Sequence, residues 1–136
     1  MVGVGTDLIS VPRVAAAWRR FNRRFLERVY TPAELSYCLR GRSPEVQAQR
    51  LAGRFAAKEA TMKSLGVGPG RAPWRQVEVI REPGQAPQVR LHGLAAQRAR
   101  QLGVGRVWVS ITHEREWAMA VAIAESSAGS SPRESA

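Results

Sequence analysis

The sequence predicts an α+β fold, and three observations carry that prediction. A strand-like run opens the chain, a block of helical segments follows, and two hairpin-like pairs of runs with a helix between them complete it. At 136 residues the chain is expected to be one domain with a sizeable core, and it has no convincing internal repeat. Its 44% hydrophobic and 24% charged residues suit a soluble globular protein. A formal net charge of +10 favours polyanionic partners: nucleic acid, an anionic membrane, phosphorylated small molecules or an acidic protein. The lone Cys38 excludes an internal disulfide and is expected as a small buried or half-buried helix residue, not a nucleophile. No apolar run approaches a membrane span and no secretory signal opens the chain, so a cytoplasmic location is expected.

Val2 to Ile9 is the first strand, with Val2, Val4, Thr6 and Leu8 on one side and Gly3, Gly5, Asp7 and Ile9 on the other. Two glycines on one side leave room for another backbone or a ligand. Asp7 stands at the end of that cleared side, and an aspartate is a poor strand residue. Ser10, before Val11-Pro12, is a better cap for the next helix than Asp7, which leaves Asp7 free for other work. That helix is expected from Val11 to Phe21 or beyond, with Val14, Ala17, Trp18, Phe21 and Phe25 as its apolar face. Arg13, Arg20 and Arg24 line a neighbouring face that holds Glu27 as its sole acid, which suits docking of an acidic surface.

Thr31-Pro32-Ala33-Glu34 is a capping box that opens a short helix to about Leu39, and spacing assigns Glu34 no chemistry. Ser43-Pro44-Glu45 opens a longer helix that runs to Leu65 and stops at Gly66. Leu51, Phe55, Met62 and Leu65 form its apolar stripe, with Lys58 inside the stripe and Glu59 at its edge. Charges so placed need partners: a cation for Glu59, an anion for Lys58 or Lys63, or simply a Glu59–Lys63 pair at i,i+4 spacing. Residues 66–73 form a loop, not a phosphate loop of the usual kind, because it follows a helix and lacks the terminal Lys-Ser/Thr. Gln76 to Arg81 and Gln88 to Leu91 pair around a turn, and Gly93 to Leu102 is a helix ended by Gly103. Arg106 to Thr112 and Trp117 to Ala124 are the last two strands, and the alanines of the second invite a closely packed helix. Residues 126–136 are Ser-rich and are expected to be a disordered tail.

Asp7 and Glu59, with substrate phosphate oxygens and water, would complete a Mg²⁺ site. Ser110 and Thr112 put two hydroxyls on one strand face with His113 just past them, a set suited to phosphate or ribose. A lone histidine is nonetheless more often a turn residue satisfied by backbone, and His92 is read that way.

Four stretches then resemble a known family in its own order: Gly3-Val4-Gly5-Thr6-Asp7-Leu8-Ile9, Tyr30-Thr31-Pro32-Ala33-Glu34, Arg54 to Gly66, and Ser110-Ile111-Thr112-His113. The chain is similar to the holo-acyl-carrier-protein synthases, 4′-phosphopantetheinyl transferases, up to about Glu125. Thr112 stands where serine is usual, and Tyr30 where phenylalanine is usual. The resemblance implies helices packed on a small, mainly antiparallel sheet in a domain over residues 1–125. It implies transfer of 4′-phosphopantetheine from coenzyme A to a serine of apo-acyl carrier protein, releasing adenosine 3′,5′-bisphosphate, for fatty acid biosynthesis. Carried over by motif, Asp7 and Glu59 are Mg²⁺ ligands, and Lys63 faces the pyrophosphate or helps accept the serine proton. A water relayed through Glu59 is an equal candidate for the base. Arg54, Lys58 and His113 would hold nucleotide phosphates, and Arg13, Arg20 and Arg24 would grip the acidic carrier protein. The resemblance also implies a homotrimer with sites between subunits. A basic nucleic-acid-binding module is the alternative, and it leaves Asp7 and Glu59 unexplained. A third is a small interaction protein in which the two acids merely satisfy the core.

Overall fold

The computed structural model describes residues 3–68 and 72–127. The expected disordered tail lies outside the described residues from 128 onward, as do residues 69–71 of the glycine-rich loop. The elements run β1 (Gly3–Ser10), α1 (Val11–Phe21), α2 (Arg23–Val29), α3 (Pro32–Cys38), α4 (Pro44–Ser64), a short 3₁₀ turn (Trp74–Gln76), β2 (Val77–Ile80), β3 (Gln88–Leu91), α5 (Gly93–Leu102), β4 (Val104–His113) and β5 (Trp117–Ser126). The strands form one sheet in the order β1-β5-β4-β3-β2, and every pairing is antiparallel. This is the expected α+β class, with the helices on one face of the sheet.

The caps read from the sequence are in place. The Arg13 amide donates to Ser10 Oγ, the Val46 amide donates to Ser43 Oγ, and Thr31 and Glu34 form a reciprocal capping box. The expected continuation of the first helix past Phe21 does not occur. Asn22 takes a positive φ of 52°, which breaks the chain into α1 and α2. Asparagine is enriched among non-glycine residues with positive φ, although the Asn22 ψ of −127° lies outside the left-handed helical region. Arg13 and Arg20 therefore belong to one helix and Arg24 to another.

Helix α4 is the spine of the fold. Its close fit to the sheet follows from small residues on both surfaces. A Cβ on Gly3 would collide with the Ser64 carbonyl, and one on Gly5 with that of Ala60. The room left by the strand glycines is thus filled by a helix backbone. The alanines at 118, 120, 122 and 124 of β5 are buried on the same face. Ala56, Ala57 and Ala60 meet Ala120, Ala122 and Ala124 there. The N-terminal part of α4 packs Ala48, Leu51 and Ala52 against Val11, Val14, Val29, Tyr30 and Cys38. From Leu51 to Ser64 most residues of α4 are buried, so the single apolar stripe understates its burial.

Among the described residues, no element covers the other face of the sheet. Val4 pairs with Ile123 and Ile123 with Trp108, and Leu8 pairs with Met119 and Met119 with Thr112. Val4, Leu8 and Trp108 are 55%, 60% and 51% exposed along these rows.

Candidate active site along one edge of the central helix

Asp7 enters the site because the glycines before it let β1 press against α4. Gly3 lies against Ser64 and Gly5 against Ala60, so the next inward-facing residue, Asp7, is level with the preceding turn of the helix. Helical side chains tilt toward the N-terminus, and Glu59 therefore leans toward that same level. Lys63 bridges the strand to the helix: its Nζ donates to the Thr6 carbonyl at 2.9 Å and to Asp7 Oδ1 at 3.3 Å. Burial holds the Asp7 carboxyl above its ordinary range, and the lowering influence of Lys63 only partly offsets this.

The expected Glu59–Lys63 pair is replaced by two other contacts. Lys63 takes Asp7, and Glu59 Oε2 accepts the indole N–H of Trp74 at 2.5 Å. Among the described residues, no group of three or more His, Cys, Asp or Glu side chains could hold a metal ion. Two carboxylates from separate elements nonetheless fit a hard cation that draws its remaining ligands from phosphate oxygens and water. The half-buried Asp7 charge, incompletely offset by its lysine, is the feature a dication would compensate.

Lys58 is a correction. Expected at nucleotide phosphates, it is fully buried, and its ammonium donates to both Glu34 oxygens at 2.7 and 2.8 Å and to the carbonyls of Val77 at 2.6 Å and Trp74 at 3.2 Å. An ammonium has three N–H groups, so these acceptors leave it nothing for a ligand. Burial lowers its pKa, and the Glu34 carboxylate counters that. Glu34, given no role by spacing, also accepts the amides of Thr31 and Val79 at 2.8 and 2.7 Å, so one carboxylate ties α3, α4 and β2 together.

Arg54 is the opposite case. It is 3% exposed, yet among the described residues its Nε and Nη2 have no hydrogen-bond partner. Its guanidinium lies over the Tyr37 ring at 4.1 Å, with those of Arg50 and Arg40 at 5.2 and 5.6 Å from the same centroid. His113 stands nearby, with Nδ1 3.2 Å from Gln49 Oε1. Burial first, and then the charges of Arg54 and Arg50, push its pKa down. A buried guanidinium with unused N–H groups, beside further cations, is a seat for an anion. Sequence reasoning missed Tyr37, Arg50 and Gln49. The i,i+4 spacing of Arg50 and Arg54 was the available signal.

Thr112 is the second correction. It pairs with Met119 on the exposed sheet face, whereas its neighbour His113 points to the α4 side. Within one chain Thr112 therefore does not join His113 and Arg54, and Ser110 shares its open face.

Arg13, Arg20 and Arg24 are exposed. Arg13 borders a groove with Ala17, Phe25 and Phe55, and Arg24 borders its continuation with Arg28 and Trp74. Arg20 instead lies over the Phe21 ring at 5.1 Å and lines neither stretch. Cys38 is buried as expected, and burial raises its thiol pKa to about 12, which removes it as a nucleophile.

The helix-backed antiparallel sheet thus carries Asp7 on β1 and Glu59, Lys63, Arg50 and Arg54 on α4. The chain belongs to the 4′-phosphopantetheinyl transferase superfamily: residues 3–126 match its ACPS family. It is 48% identical over 127 residues to a holo-[acyl-carrier-protein] synthase of Moorella thermoacetica, covering 93% of this chain and 96% of that protein. A Plasmodium yoelii acyl carrier protein synthase with ADP bound superposes with a TM-score of 0.83 at 30% identity, covering 93% of this chain and 96% of the other. The Helicobacter pylori holo-[acyl-carrier-protein] synthase in complex with coenzyme A gives 0.77 at 28% identity, over 90% and 99% of the two chains.

Proposed function

We propose that this chain transfers 4′-phosphopantetheine from coenzyme A to a serine of apo-acyl carrier protein, in a Mg²⁺-dependent reaction that serves fatty acid biosynthesis in the cytoplasm. The single observation that carries the reading is the ion pair of Lys63 with Asp7 at the edge of α4, the same helix that carries Glu59 and the buried Arg54 with unused N–H groups. The coenzyme A and ADP complexes of the two structural relatives support the same substrate class.

In this reading Asp7 and Glu59 would hold Mg²⁺, which when bound neutralises charge on the diphosphate. Lys63 donates to Thr6 and Asp7 and would reach the diphosphate from there. Arg54, with Arg50 and His113, binds the nucleotide phosphates. The serine oxygen bonds to the phosphorus that carries pantetheine, and the bond from that phosphorus to the bridging oxygen breaks. The electron pair leaves with adenosine 3′,5′-bisphosphate, and the serine proton passes to a base at the carboxylate end of the site. The arginines of α1 and α2 receive the acidic carrier protein. The exposed apolar rows of the sheet support assembly as a homotrimer, in which Thr112 could serve a neighbouring subunit's site.

The test is the intact mass of an apo-acyl carrier protein after incubation with the enzyme, coenzyme A and Mg²⁺. A gain of one phosphopantetheine supports the reading. An unchanged mass, together with salt-sensitive binding of DNA or RNA, would replace it with the nucleic-acid module.

A further inference from the structure

We infer that Trp74 is the positioning residue for Glu59, an inference that rests on the reading of Glu59 as a cation ligand. Three side chains of one turn of α4 grip Trp74 at three different places. The Phe55 ring meets the indole at 5.7 Å between centroids, Lys58 Nζ donates to the Trp74 carbonyl at 3.2 Å, and Glu59 Oε2 accepts the indole N–H at 2.5 Å. The Arg28 guanidinium lies 6.0 Å from the indole centroid, outside this turn. An indole has one polar group and it is a donor. Here that donor is committed to one oxygen of a half-buried carboxylate, which fixes the χ angles of Glu59 and leaves the other oxygen for a ligand.

The buried Lys58–Glu34 pair gains a role by the same route. Lys58 touches no ligand, yet it holds the backbone of the 3₁₀ turn from which the indole projects. Partners that orient a metal ligand in this way commonly change metal affinity by about 10–100-fold when lost. Trp74→Phe is the informative change, because it keeps a ring against Phe55 and removes only the donor.

Two measurements test this without turnover. The four tryptophans give four indole N–H resonances in a ¹⁵N spectrum, and the one missing in W74F is that of Trp74. It should move upfield in Glu59→Ala while the other three stay; a resonance that does not move overturns the inference. Should W74F fail to fold, the single Phe variants of Trp18, Trp108 and Trp117 assign the peak by elimination. Second, Mn²⁺ is titrated into the protein with coenzyme A present and no carrier protein, read by electron paramagnetic resonance. W74F should bind Mn²⁺ about 10-fold more weakly than the parent chain, with metal-free coenzyme A affinity unchanged. Unchanged Mn²⁺ affinity in W74F, alongside lost binding in E59A, overturns the positioning role and leaves the metal reading standing. Unchanged affinity in E59A overturns the metal reading itself.

Discussion

Lys58 and Lys63 project from the same helix, little more than a turn apart, and each meets a carboxylate. Lys58 is sealed against Glu34, with both side chains wholly buried. Lys63 lies half in solvent against an Asp7 that is 17% exposed. The first pair is saturated by backbone carbonyls and amides, so it holds elements together. The second keeps an N–H and a carboxylate oxygen open at the edge of the sheet, so it can meet a ligand. A sequence motif names both lysines alike; what divides them is how many acceptors the fold brings to each.

The sharpest break of this comparison is functional. Asp7→Ala and Glu59→Ala should each lower phosphopantetheine transfer by about 10³-fold or more, with an unchanged circular dichroism spectrum. Wild-type transfer by either variant would remove that carboxylate from the metal site.

The two lysines should then separate by assay. Lys58→Ala strands Glu34 as an unpaired buried charge and should cost about 3–5 kcal/mol in denaturant unfolding. Lys63→Ala should cost no more than about 1 kcal/mol, because the lysine is half in solvent, while lowering transfer about 100-fold. A Lys58→Met, Glu34→Leu double variant should recover most of the lost stability, since well-packed apolar groups often replace a buried pair without penalty. Equal stability losses in the two alanine variants would erase the distinction drawn here.

A smaller effect concerns pH. The Asp7 pKa is raised in the folded state. Its protonated form therefore favours the fold at low pH, and that contribution is lost as pH rises through the folded pKa. Asp7→Asn should accordingly raise the melting temperature at pH 7 but not at pH 3, while abolishing transfer. A lower melting temperature for D7N at pH 7 would mean that the Lys63 pair outweighs the cost of burial.

The smallest expected effect lies on the docking face. Arg13→Glu should raise the KM for carrier protein about 10-fold and leave that for coenzyme A unchanged, an effect that shrinks at high salt. Arg20→Glu should do less, because Arg20 lies over Phe21 and outside the groove bordered by Arg13 and Arg24. Equal changes for both substrates would count against docking there.

Local chemistry explains what the sequence made legible. The caps of α1, α3 and α4, the cleared glycine side of β1 and the alanine side of β5 are near-neighbour patterns, and each is found as read. Asn22 was harder, because a residue that tolerates positive φ does not announce that it adopts it. In the site, the order of motifs named Asp7, Glu59, Lys63, Arg54 and His113 as candidates. The partners that set their behaviour are distant in the chain: Trp74 for Glu59, Glu34 for Lys58, and Tyr37 for Arg54. Thr112 went astray for a simpler reason. Adjacent strand residues face opposite ways, so Thr112 and His113 cannot share a pocket within one chain.

The central claim is that Asp7 and Glu59 share one divalent ion that grips a diphosphate. Its most direct test is an anomalous difference map from crystals grown with coenzyme A and Mn²⁺. A peak at coordination distance from both carboxylates and from the diphosphate oxygens is the predicted result. A peak held by neither Asp7 nor Glu59 would contradict it.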